Sequence, residues 1–151
     1  MIFHIAVCSP DPVLRGRVER QCLEYYARRA DACIVEQLPG VDALLARDAE
    51  GTRYELYLVE LTAGNAPADL KAADTLRRHA RAPLAFFAHT PAHAYNAYRV
   101  DAMQYLLLPF RPEQFTALLD RATEPEYGPV IAVSTAAGLR ALPFANIEYL
   151  E

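Results

Sequence analysis

Lysine is almost missing from this chain: of its 15 basic residues only Lys71 is a lysine, and arginine carries the rest. The arginine preference reads as a compositional bias of the source. Acidic residues number 19, so the formal net charge is −4, and a surface without a clustered cationic excess is poorly suited to polyanions. Nucleic acid is not an expected partner of this stretch by itself. Long apolar runs are missing too. No stretch reaches the roughly 18 apolar residues of a membrane span, and the opening run Met1 to Val7 is too short for a signal peptide. A cytoplasmic protein without membrane contact is expected. The three cysteines, Cys8, Cys22 and Cys33, are odd in number and lack CxxC or Cys/His spacing, which argues against a disulfide framework and a zinc site. Buried thiols in a reducing compartment are expected instead. GxSxG, P-loop and GxGxxG motifs are all missing, so an enzyme is not expected.

What is present is the balance of a folded protein, 53% apolar and 23% charged over 151 residues, enough for one main core with at most a small second module. Short apolar runs alternate with helical patterns. Ile2 to Val7 reads as a buried strand, followed by Ser9 or Asp11 as a helix cap and Pro12 in the first turn. Leu14, Val18, Cys22 and Tyr25 then recur on one face of a helical period. Cys33 to Gln37, Leu56 to Leu61, Pro83 to Ala88 and Met103 to Leu107 are further strands, and the run Leu-Tyr-Leu-Val at 56–59 needs both faces covered. Between them lie helices at Val41 to Arg47, Ala68 to Ala80 and Ala92 to Val100, and the last helix buries Phe115, Leu118, Leu119 and Ala122.

Five strand-then-helix units imply right-handed parallel crossovers and an α/β fold, a five-stranded parallel doubly wound sheet. Ligands in such sheets sit at the carboxyl ends of the strands, where strand order reverses. Those ends are Cys8 to Asp11, Glu60 to Thr62, Ala88 to Thr90 and Leu107 to Pro109. Residues 125–129, rich in Pro and Gly, read as a linker. Beyond them Val130 to Ser134 and Leu139 to Leu142 form two short strands, and Ile147 to Leu150 starts a third element. So few apolar groups do not make an independent core, and residues 130–151 are expected to be the start of an incomplete second domain.

The order of elements, with Tyr-Glu-Leu-Tyr-Leu-Val-Glu-Leu at 54–61 and Asp-Ala-Met-Gln-Tyr-Leu-Leu-Leu-Pro-Phe at 101–110, resembles the receiver domain of bacterial response regulators over residues 1–124. Residues 130–151 resemble the opening strands of the LytTR DNA-binding domain. The resemblance implies a flavodoxin-like receiver fold and a domain that takes a phosphoryl group on its own aspartate. That chemistry needs a carboxylate nucleophile, Mg²⁺ held by further carboxylates, and a hydroxyl and a lysine for the equatorial oxygens. Each of these positions is altered. The acidic pair after the first strand aligns with Ser9 and Pro10, leaving only the neighbouring Asp11 acidic. The phosphoacceptor position holds Glu60, whose extra methylene displaces the carboxylate by about the 1 Å that can cost 100-fold in a positioned reaction. The hydroxyl position is Ala88 and the lysine position Leu108. Tyr105 keeps the family's switch aromatic, and Leu108-Pro109 keeps a proline that follows a cis peptide in the family.

The resemblance therefore implies the degenerate receiver of a LytTR-type transcriptional regulator, one that acts without phosphate, cofactor or metal through dimerisation, a protein partner or a ligand in the altered pocket. Glu60 reads either as a permanent mimic of the phosphorylated aspartate or as an ordinary carboxylate at a strand end. Two alternatives stay open, a Mg²⁺-dependent receiver using Asp11 and Glu60, and a free-standing protein-binding adaptor. Tyr95, Tyr98, Arg99 and Gln104 fall on the fourth helix and fifth strand. Together with the last helix these form the face receivers use to pair, so a homodimer is expected there unless both tyrosines pack inward. A histidine kinase is a possible partner under the resemblance, and DNA enters only through a downstream domain. His79, His89 and His93 read as surface histidines. Arg77, Arg78 and Arg81 form a basic cluster at a helix end, where the helix dipole favours cations.

Overall fold

A computed structural model describes residues 2–123, 130–135 and 138–143. Its main body alternates β1 (Ile2–Cys8), α1 (Pro12–Arg28), β2 (Ala32–Leu38), α2 (Val41–Ala49), β3 (Leu56–Glu60), α3 (Ala66–Arg77), β4 (Leu84–Ala88), a 3-10 turn (Pro91–His93), α4 (Ala94–Arg99), β5 (Gln104–Leu107) and α5 (Pro112–Thr123). The five strands form one sheet in the order β2-β1-β3-β4-β5, and every neighbouring pair is parallel. This is the expected α/β architecture. Strand order reverses at β1 and β3, which places a crevice at their carboxyl ends.

Each helix starts and stops for local reasons. Asp11, not Ser9, caps α1: its carboxylate accepts the Val13 N–H at 2.9 Å, and Pro12 follows where a missing N–H costs nothing. The buried stripe of α1 is Leu14, Val18, Cys22 and Tyr26. Tyr26 replaces the expected Tyr25, because four residues per step from Cys22 keeps the side chain under the sheet, where it stacks on Phe3 with ring centroids 4.6 Å apart. Tyr25 is half-buried against the same core layer and donates to Asp120 at 2.5 Å. After α2 the chain reverses at Gly51, whose φ of +90° is a conformation that only glycine adopts without strain.

The core lies in two layers. Ala6, Cys8, Tyr57, Val59, Phe86 and Ala88 face α2 and α3. Ile5, Val7, Leu58, Ala85, Phe87 and Leu106 face α1 and α5, where Phe115, Leu118 and Leu119 meet them. All residues of β3 and β4 are buried, as sandwiching between helix layers requires. Farther along the chain, β6 (Val130–Thr135) pairs antiparallel with β7 (Gly138–Pro143), with Ala132 opposite Ala141. The expected linker at 125–129 and the expected element at 147–150 lie outside the described residues.

Candidate functional site at the strand ends

Ser9 and Glu60 end β1 and β3 side by side. Both are buried, with Glu60 only 8% exposed. The Ser9 hydroxyl donates to Glu60 Oε1 at 2.5 Å and accepts the Asp11 N–H at 2.9 Å. The Ser9 backbone is tied as well: its N–H donates to the Leu38 carbonyl at 3.0 Å, and its carbonyl accepts from Arg15 Nη1 at 2.6 Å. Every polar atom of Ser9 is thus engaged, and the rotor that meets Glu60 is fixed by backbone on both sides.

Asp11 is exposed, and its carboxylate is committed to the α1 cap described above. Pro10 is exposed and Ala88 fully buried. Leu108 is half-buried and packs with the α1 and α5 layer, its N–H donating to the Ala88 carbonyl at 2.7 Å. The Leu108-Pro109 peptide is cis. Ser9, Glu60, Ala88 and Leu108 therefore do converge on one pole of the sheet, with an aliphatic side chain and a methyl group at the ends of β5 and β4. Among the described residues, no group of three His, Cys, Asp or Glu side chains is placed to hold a metal ion. Magnesium wants a near-octahedral set of oxygens. Glu60, already bonded to Ser9, and Asp11, already spent on a cap, do not fit that demand.

Sequence reasoning passed over Asp69 and did not find the contact that His89 makes. His89 Nε2 lies 3.8 Å from Glu60 Oε2, and it is the one basic group within 4 Å of that carboxylate among the described residues. Its side chain is 70% exposed, so its reading as a surface histidine is right for burial and incomplete for contact. Asp69, on the first turn of α3, is buried and gathers the β3–α3 loop. It accepts from Asn65 Nδ2 at 3.0 Å, Thr62 N at 3.3 Å and Thr62 Oγ1 at 3.4 Å. An acid in a first turn was the only signal available for it. Below the site, burial pushes the Cys8 thiol up to about 12, with the charges of Glu36 and Asp69 adding to the effect.

Tyr105 points its hydroxyl at the β4–α4 loop, donating to the Thr90 carbonyl at 2.5 Å, and burial raises its phenol above the ordinary value. Thr90 itself caps the 3-10 turn, its hydroxyl accepting from Ala92 N at 3.2 Å. The neighbouring face is open. Tyr95 is 74% and Tyr98 48% exposed, so the inward-packing alternative is wrong for both. Arg99 lies over the Tyr95 ring, 5.9 Å from its centroid, while Gln104 accepts from Arg121 across to α5. Arg77, Arg78 and Arg81 do lie at the end of α3, at the opposite pole.

No family model matches the sequence, and no curated protein matches it. Solved structures do. The response regulatory domain of protein mrkE from Klebsiella pneumoniae superposes with a TM-score of 0.68 at 13% identity, over 81% of this chain and 96% of that one. The BeF3-activated DrrB receiver domain gives 0.65 at 15% identity over 82% and 99%, and chemotaxis response regulator CheY4 of Vibrio cholerae 0.62 at 18% identity over 81% and 99%. The main body of this chain has the response-regulator receiver fold.

Proposed function

We propose that this chain is a signalling receiver that works without phosphoryl transfer and acts through protein contacts on the α4–β5–α5 face. The carrying observation is the buried 2.5 Å bond from Ser9 to Glu60. In a phosphorylating receiver, carboxylates gather a metal beside the acceptor; here an uncharged hydroxyl saturates one acceptor oxygen. Glu60 is a fixed negative group at the position where phosphorylation would add charge, which supports the mimic reading over an ordinary strand-end carboxylate. The alternative using Asp11 and Glu60 with Mg²⁺ is disfavoured by the capping role of Asp11.

Exposed Tyr95 and Tyr98 with Arg99 beside them supply the side-chain types that anchor interfaces, and a second copy of the chain is the proposed occupant. The antiparallel β6–β7 hairpin supports the LytTR-like reading of residues 130–151, under which the receiver regulates a DNA-binding module. The free-standing adaptor remains the reading if no such module is functional.

Sedimentation equilibrium with and without Mg²⁺ and beryllofluoride, together with intact mass after acetyl phosphate, tests the proposal. The expected result is an unchanged oligomeric state and no added phosphoryl mass. A shift toward dimer on addition, or a phosphoryl adduct abolished by Glu60→Gln, overturns it.

A further inference from the structure

The opposite pole of the sheet, at the amino ends of β4 and β5, holds a cavity of about 170 Å³ lined by Asp74, Arg77, Ala80, Arg81, Arg99, Val100 and Asp101. That is room for a small ligand beside the arginines. The carboxyl ends of α3 and α4 open here, and bare helix carbonyls repel anions. Arg77 ties the loops that follow those helices. Its Nη1 donates to the Ala80 carbonyl at 3.1 Å and the Ala82 carbonyl at 2.5 Å, and its Nη2 donates to the Asp101 carbonyl at 3.0 Å.

The remaining charges do not cancel. The Asp101 carboxylate stands in the field of Arg77 and favours its charged form. Asp74 is paired with Arg78 at 3.7 Å. Arg81 and Arg99 are left: neither has a carboxylate within 4 Å or a hydrogen-bond acceptor among the described residues, and Arg99 rests only against the Tyr95 face. Arg81 also pushes against Arg77, since its charge disfavours a second cation nearby. Three arginines against two aspartates leave the lining net positive, and the two guanidiniums without a close acceptor make a receptor for negative charge, since guanidinium forks match phosphate oxygens in pairs.

We infer that this cavity binds a small phosphate-bearing dianion, held between Arg81 and Arg99 over the platform that Arg77 fixes. The site is independent of the strand-end pocket and needs none of its chemistry. Occupancy competes with the contact between Arg99 and Tyr95, so the ligand and the tyrosine face share a residue.

Amide resonances of the whole chain, followed while inorganic phosphate replaces chloride at constant ionic strength, test the inference. Saturable shifts at Arg81 and Arg99 to Asp101 are expected, with binding at least tenfold weaker in Arg81→Gln and in Arg99→Gln and lost in the double variant. Melting curves establish that the variants fold, and Arg81→Lys, which keeps the charge, should restore part of the affinity. Shifts that chloride reproduces, or that persist in the double variant, overturn the site.

Discussion

At the carboxyl ends of β1 and β3 one buried carboxylate meets a hydroxyl whose every atom is held by backbone or side chain. At the amino ends of β4 and β5, two of the arginines around the cavity face no acceptor among the described residues. The difference teaches where this fold has spent its polar groups. The strand-end pocket is closed on itself, while guanidiniums without a close acceptor lie at the other pole. Burial explains the asymmetry: an unpaired carboxylate at 8% exposure costs several kcal/mol unless it is bonded, while guanidiniums on an exposed rim stay hydrated at little cost.

The comparison breaks first at Ser9. Ser9→Ala leaves Glu60 Oε1 and the Asp11 N–H without their partner, and a buried group so orphaned costs about 1–3 kcal/mol; urea unfolding should show a loss near about 2 kcal/mol at neutral pH. A loss below about 0.5 kcal/mol would mean that the pocket is not locked.

A second effect, confined to alkaline pH, comes from the thiol under Ser9. Cys8 is raised from 9.0 to about 12, so the folded state holds its proton more tightly than the unfolded chain does. The stability this contributes is whole below pH 9 and is lost as pH rises from about 9 toward 12. Unfolding midpoints should fall over that range, and Cys8→Ala should flatten the fall. An identical pH profile in the variant would show that other groups, such as Tyr26, raised to about 12 by burial, carry the alkaline loss.

The smallest effect sharpens the contrast. Arg81→Gln removes a cation with no partner and relieves its push on Arg77, so stability should stay within about 0.5 kcal/mol of the parent and fall on the stabilising side. A clear destabilisation would reveal a structural duty for Arg81 and weaken the view of that pole as a receptor.

Much of the fold is legible without coordinates because periodicity reports burial directly. The alternation of five strands with helices, the double-faced run at Leu56 to Val59, and the stripe Phe115, Leu118 and Leu119 needed no partner to be read. The α1 stripe slipped by one residue at Tyr25 and Tyr26 because adjacent aromatics are equivalent to a periodicity count, and only the stack on Phe3 distinguishes them. At the site, the residue types at 9, 60, 88 and 108 were readable, since identity is a local property. The bond between Ser9 and Glu60 was not, because it joins residues 51 apart in sequence through the parallel pairing of β1 with β3.

The sequence by itself determined which atoms this protein has to work with: Ser9, Glu60, Ala88 and Leu108 at the strand ends, and a nearly lysine-free supply of arginine. Tertiary structure alone decided which of those atoms find partners. Arg77 ends α3, Arg81 lies in the loop after it and Arg99 ends α4, and only the fold brings them around one cavity at the start of β4 and β5. Pairing of charges depends on distances in space, and crossovers of this length erase those distances from the linear order.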